Sequence, residues 1–393
     1  MIPLDRRLLA PKLVYFGWFA AIGAYMPFIS LYYRQAGLDL GQIGLLAALA
    51  GAVQLVAAPL WGVLADALRL RRALLPIAMA ATVPPALLIA SSRGFGPLFA
   101  LALAQAFFTA PVVALADSAT MALLGDQRER YGTQRVWGGV GWSISAVCFG
   151  WLSQRVGYSA VFVGYAALAL LTAAAALALP RTELVSVDLR SAARALAGDR
   201  RWAGFLGAVF LIGCCGAVIN GFLSLFLSDL GAGGAAIGLA YTIASLSELP
   251  VMALSPLVLR RWGARPLLVV AGLLYALRMG IYIIAPSAAW ALAAQALHGL
   301  CFGALWTAGV VEAQRLAPPG LESTAQSLFG IAVFGVAGAL ASALGGQIYR
   351  DFGADTLFAI VGAAALLGAL GLLLGWRAGQ QADRPAPSAH TRG

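Results

Sequence analysis

Phe28-Ile-Ser-Leu31, followed by Gly37-Leu-Asp-Leu-Gly-Gln-Ile-Gly-Leu45, returns 194 residues later as Phe222-Leu-Ser-Leu225, followed by Gly231-Ala-Gly-Gly-Ala-Ala-Ile-Gly-Leu239. The register continues without a gap into the next polar stretch, where Arg71 meets Arg265. In a chain of 393 residues an offset this close to half the length marks a tandem duplication. Each copy places its glycine-rich turn between two long apolar runs, so the duplicated unit is a set of membrane-crossing helices.

Composition agrees. Hydrophobic residues make up 61% of the chain, charged residues 11%, and mean hydropathy is +0.85. A soluble domain has about a quarter charged residues and cannot hide this much apolar surface. These values exclude a soluble enzyme, a disordered chain and a secreted disulfide scaffold. The net charge of +10 is scattered through apolar sequence, so no nucleic-acid partner is expected. Cys148, Cys214, Cys215 and Cys301 fall inside apolar segments without metal-ligand spacing, so neither a metal nor a cofactor is expected.

Crossing the hydrocarbon core takes roughly 20 apolar residues. Twelve segments qualify: 13–33, 42–65, 73–91, 97–124, 135–154, 159–179, 203–228, 236–258, 267–285, 288–312, 324–349 and 355–376. All are expected to be helices, because an open sheet leaves its backbone unsatisfied in lipid. The expected fold is therefore an all-α membrane protein of twelve transmembrane helices in two pseudo-symmetric six-helix bundles. The bundles occupy 1–179 and 203–376, a polar linker takes 180–202, and a disordered tail takes 377–393. Met1 to Lys12 lacks an A-x-A cleavage site and leads straight into the first span, so it is not read as a signal peptide. Of the 26 basic residues, 21 fall on the side of both termini, and Arg34, Arg93, Arg155 and Arg350 on the other; Arg278 lies within a span. The positive-inside rule then puts both termini in the cytoplasm, in a bacterial-type inner membrane.

Charge in the bilayer is costly, so each intramembrane charge is a functional candidate. Glu248 and Arg278 lie 15 residues either side of Gly263, and Arg278 and His298 lie 10 either side of Ala288. At roughly 1.5 Å per residue the three sit level near the midplane. The protonation of Glu248 would be set by burial and by the Arg278 charge, which is what proton coupling needs, and His298 can titrate or donate. Asp117 and Arg135 lie nine residues either side of Asp126 and form a second level pair. Arg135, Gly138, Trp142 and Ser145 share one helix face, which offers a guanidinium and a flat aromatic surface. Tyr25 and Gln295 are further polar candidates for a cavity wall. No nucleophile–base pair or metal set points to an enzyme.

The loop Gly62-Val-Leu-Ala-Asp66-Ala-Leu-Arg69-Leu-Arg71-Arg72 resembles the G-x-x-x-D-R-x-G-x-R-R signature of the major facilitator superfamily, and Gly62, Asp66, Arg71 and Arg72 match it. Its partner loop, Arg260-Arg261-Trp262-Gly263-Ala-Arg265, keeps part of the pattern. Such a carboxylate and arginines can latch and release as a gate. The chain also resembles the lactose permease and phenylpropionate permease branch. Gly23-Ala24-Tyr25-Met-Pro27-Phe28, Arg135-Val-Trp-Gly138-Gly-Val140-Gly141-Trp142 and Gln295-Ala-Leu-His298 carry that likeness. It implies alternating access by two rocking halves. It implies that Asp117, Arg135 and Trp142 bind a small organic solute, a sugar or an aromatic carboxylate, as a monomer in the lipid bilayer. It also implies that Glu248, Arg278 and His298 handle a proton in symport. Nucleoside or oligosaccharide symport, drug–proton antiport and a non-transporting sensor are the alternatives. Cys301 stands where the lactose permease branch has a second carboxylate, and Asn220 and Gln295 where it has an aspartate and a lysine. Within the resemblance, this either shifts the implied proton role to Glu248 or sets aside coupling by that branch's mechanism.

Overall fold

The computed structural model describes residues 8–68, 73–180 and 198–382, with side chains throughout except at 58, 59, 62–68, 128 and 376–382. Among the described residues there is no strand. Ten stretches are long and apolar enough to cross a membrane. One of them, Glu322–Gly375, is divided by Gly353, whose φ of 84° and ψ of 170° break the helix. The 26-residue helix Tyr131–Val156 carries Arg135 and several glycines and serines, and falls outside the ten. Dividing the first and adding the second gives the twelve helices expected.

In chain order they are α1 (Leu9–Gln35), α2 (Leu40–Leu68), α3 (Leu74–Ser91), α4 (Phe95–Leu124), α5 (Tyr131–Val156) and α6 (Ser159–Ala176). The second half holds α7 (Arg200–Asp229), α8 (Gly234–Trp262), α9 (Ala264–Ile283), α10 (Ala288–Leu316), α11 (322–352) and α12 (354–382). Several run a turn beyond their apolar sequence. Asp199 caps α7 by accepting the N–H groups of Arg201 and Trp202, which extends it past the expected start at 203. The last helix continues to Ala382, past the apolar limit at Trp376 and into the stretch expected as a disordered tail. Most of the expected linker, 181–197, and the tail from 383 lie outside the described residues, as do Arg71 and Arg72. Gly62 and Asp66 belong to the last turns of α2 rather than to a loop.

Breaks have local causes. Helix α4 is interrupted at Ala110–Pro111, where the proline ring cannot donate and crowds the preceding turn. Helix α10 passes through a 3-10 turn at Ala294–Leu297 and a π-helical turn at Gly299–Gly303, and α11 contains a second π turn at Ile331–Val336.

The halves meet along two seams, α2 against α11 and α5 against α8, which the duplication makes equivalent. Both seams are tight at the end carrying the α1–α2, α5–α6, α7–α8 and α11–α12 turns. There a Cβ on Gly238 would lie 2.1 Å from the Ala146 carbonyl, and one on Gly44 2.5 Å from that of Ser342. Thr242 Oγ1 donates to the Ser143 carbonyl (2.8 Å) and Ser30 Oγ to that of Gly221 (3.0 Å). Arg34 is paired with Asp229 and donates to Ser228; Tyr349 donates to the same Asp229 (2.7 Å), and Arg350 lies 3.6 Å from Asp39. The apolar core follows the same division. A single cluster runs from Phe28 and Phe162 across to Phe222 and Tyr282. Toward the end bearing the termini, the first bundle has a separate core around Trp18, Trp61 and Tyr165. The molecule is thus closed at the turn end.

Candidate functional site

Helix α5 brings its arginine to α1 through glycines. A Cβ on Gly141 would lie 2.1 Å from the Phe16 carbonyl, and one on Gly23 would lie 2.7 Å from that of Trp142, so the two backbones touch. This contact lays the Arg135 guanidinium over Phe19 (4.2 Å to the ring centre) and Tyr15 (5.3 Å). Across from it, Tyr15 donates to Asp117 at 2.6 Å, and the rings of Tyr15 and Tyr131 pack edge to face. Asp117 and Arg135, expected as a level pair, therefore share a neighbourhood without an ion pair between them. The aromatic cradle satisfies the cation while a phenol satisfies the carboxylate. Both charges stay half-buried. Trp142 also is half-buried, at the α5–α8 seam, 6.3 Å from the Tyr241 ring. Tyr25 turns the other way and packs on Tyr165 and Phe162, inside the first bundle.

The second cluster is more tightly built. Arg278 is fully buried. It donates through Nε to Tyr282 (2.8 Å), through Nη2 to Gln295 Oε1, and faces His298 Nδ1 with Nη1 at 2.9 Å. Gln295 in turn donates to Tyr282 (2.7 Å) and to the Ala291 carbonyl (3.2 Å). The buried Gln295 amide is thus hydrogen-bonded within the Arg278 network. His298 Nε2 lies 3.1 Å from Glu248 Oε1.

Glu248 and Arg278, read as neighbours from their depth, are thus joined through the imidazole. The chain runs from Glu248, with a side chain 23% exposed, through His298 at 16%, to the closed-off Arg278. A guanidinium has only donors, so His298 Nδ1 is the acceptor and the ring proton sits on Nε2, directed at the carboxylate. The π-helical turn and Gly299 set this geometry. A Cβ on Gly299 would lie 1.9 Å from the Ser247 carbonyl, and the Gly299 N–H donates to Ser247 Oγ (2.8 Å). Only glycine lets α10 approach α8 closely enough for His298 to reach Glu248. Irregular turns of this kind recur at functional positions. Cys301 is buried in the same turn.

Sequence reasoning missed three residues. Tyr15 holds Asp117, and Tyr282 completes the Arg278 network one helical turn on. Glu312, 2% exposed, accepts from Arg265 (2.7 Å) and Arg315 (2.9 Å) at the terminus end. Tyr282 was findable at i+4 from Arg278; nothing in the sequence marks Tyr15 above other aromatic residues.

Two duplicated bundles, closed at one end and carrying charged side chains within spans of each half, are the architecture of a membrane transporter. The chain belongs to the major facilitator superfamily, matching the MFS_1 like family over residues 8–360. It is 31% identical to the maltose permease of Geobacillus stearothermophilus over 378 residues, covering 92% of this chain and 93% of that one. It is 28% identical to the probable 3-phenylpropionic acid transporter of Escherichia coli strain K12, covering 76% and 79%. Its fold matches the crystal structure of the nucleoside transporter NupG with a TM-score of 0.84 at 17% identity, over 95% of this chain and 99% of that one. The chain is a multi-pass membrane transporter of small solutes, not an enzyme.

Proposed function

We propose that this protein is a proton-coupled symporter for a sugar, working in the inner membrane as a monomer with both termini in the cytoplasm. Arg135, Asp117 and Trp142 would hold the solute. A sugar needs donors and acceptors side by side and an apolar ring face to lie on, and these three residues supply a guanidinium, a carboxylate and an indole. Resemblance to a maltose permease over nearly the whole chain supports the same choice.

The observation that carries the coupling is the Glu248–His298–Arg278 chain. Glu248 is the member with solvent access, and it would bind the proton. Its neutralisation would remove the charge that His298 relays to Arg278, and the Arg278 network would relax as the halves rock. Gln295 and Tyr282 position Arg278, and Tyr25 supports the first bundle. Gly62, Asp66, Arg71 and Arg72 keep their proposed part as a gate at the terminus end. With that end cytoplasmic, the closed seams correspond to an inward-facing state.

A second reading is favoured by one observation. Arg135 rests on aromatic rings with no carboxylate partner among the described residues, which suits an aromatic acid such as a phenylpropionate. Uptake into proteoliposomes under an imposed pH gradient, across disaccharides, phenylpropionates and nucleosides, separates the readings. Accumulation of a disaccharide that collapses with the gradient supports sugar–proton symport. Accumulation of the aromatic acid alone supports the second reading, and gradient-independent uptake contradicts coupling.

A further inference from the structure

The seam between α7 and α12 closes and then opens. A Cβ on Gly368 would lie 2.7 Å from the Ala208 carbonyl and 3.0 Å from Ile212, so the helices touch there. Toward the terminus end, Gly371 and Gly375 follow Gly368 at i+3 and i+7 and continue its face, and Gly204 precedes Ala208 by one turn. A Cβ at any of these three glycines would meet nothing within 4 Å. Beyond the contact the helices enclose a recess floored by the buried side chains of Phe205 and Leu372.

The rim of the recess carries three arginines and one carboxylate, Glu312, which is taken up by Arg265 and Arg315. Arg200 and Arg201 come from the first turn of α7 and Arg265 from the start of α9. The guanidinium groups of Arg200 and Arg201 make no hydrogen bond or ion pair with a described residue. Asp199 is occupied by the backbone N–H groups of Arg201 and Trp202. Arg265 gives Nε to Glu312 and makes no hydrogen bond through its Nη nitrogens among the described residues. With 30 residues, α7 is about 45 Å long against a hydrocarbon core of about 30 Å, so its first turn lies at headgroup level.

We propose that this recess binds one phospholipid with an anionic headgroup. The lipid phosphate sits among Arg200, Arg201 and Arg265, and one acyl chain lies in the glycine-lined groove. Guanidinium forks match phosphate oxygens, and basic pockets between membrane helices at the headgroup level are suited to anionic lipids. A soluble phosphate would leave the groove unused. The groove also adjoins Leu370 and Leu374, exposed apolar residues of a membrane helix. A second copy of this chain would bring two arginine rims together.

The test is native mass spectrometry of the detergent-purified, delipidated protein titrated with phosphatidylglycerol or phosphatidylcholine. Two kinds of variant accompany the wild type: R200Q/R201Q, and Gly371→Leu or, from the opposite wall, Gly204→Leu. We expect one phosphatidylglycerol to be retained at least tenfold more tightly than phosphatidylcholine. Removing the charge or filling the groove should each weaken it at least fivefold, in protein whose helical circular dichroism is unchanged. The proposal is overturned if folded variants retain the lipid as wild type does, or if inorganic phosphate displaces it at equal concentration. It is also overturned if either leucine variant abolishes a dimer without altering lipid retention.

Discussion

Arg278 Nη1 donates to His298 Nδ1, so His298 cannot take a second proton on that nitrogen without giving up its contact with the buried arginine. The imidazole is thereby held neutral, with its one proton on Nε2 and directed at Glu248 Oε1. On the proposed coupling, the carboxylate is the group that takes up the proton. Glu248→Gln keeps the shape and an acceptor for His298 but fixes the site as neutral. We expect the variant to lose uphill accumulation while solute counterflow stays within about threefold of wild type, less than the factor of ten that 1.4 kcal/mol would bring. Measuring both modes in the same proteoliposomes checks this.

His298→Lys tests the same contact from the other side. It places a second cation against a guanidinium that water cannot reach, with Glu248 as the counter-charge beside it. Leaving buried charge uncompensated costs about 3–5 kcal/mol, so the melting temperature in detergent should fall markedly. His298→Gln, which adds no charge, should fall less and should still lose coupling.

Gly299 is the hinge of the cluster's geometry. Its missing Cβ is what lets α10 sit against the Ser247 carbonyl. Gly299→Ala should cost about 1–3 kcal/mol of stability by overpacking and separate His298 from Glu248. Gly280→Ala, on α9 with nothing within 4 Å of the added carbon, is the matched control and should be near neutral. Thermal melts of the two variants side by side check the difference.

At the closed end, Arg34 and Asp229 join the bundles at partly exposed positions. Exposed pairs contribute about 1 kcal/mol at most, which is about a fivefold shift between conformations. Asp229→Asn also weakens the Tyr349 contact, so we expect it to raise the population open at the turn end by about that factor. Spin labels on α1 and α7, read by pulsed distance measurements, check it.

Arg135→Lys keeps the charge but loses the planar face that lies over Phe19. Loss of a stacked, forked cation should raise the apparent KM about tenfold, with less effect on maximal rate. Initial-rate kinetics at saturating and limiting solute check the split.

Much of this was legible in the sequence, because helices in a membrane obey a simple ruler. Counting residues from turns placed Glu248, Arg278 and His298 at one depth, and the duplication divided the chain into two bundles. What the ruler cannot give is azimuth and rotamer. The 3-10 and π turns around His298 rotate it between Glu248 and Arg278, a consequence of the Gly299 contact rather than of any periodicity. Likewise Asp117 and Arg135 do come to one neighbourhood, around Tyr15. Their separation depends on Tyr15 and Phe19, residues of α1 that reach them only because Gly23 and Gly141 allow the backbones to touch. Glu312 was hidden by its position near a helix end, where a carboxylate is normally solvated. Only the packed structure reveals it as buried.

The most direct test of the account is solute-driven proton movement, followed as alkalinisation of a weakly buffered medium when solute is added to de-energised proteoliposomes. The account predicts proton entry with each translocated solute in the wild type and none in Glu248→Gln, although the variant still carries solute downhill. Proton entry of wild-type size in Glu248→Gln, or solute uptake by the wild type with no proton entry, would contradict it.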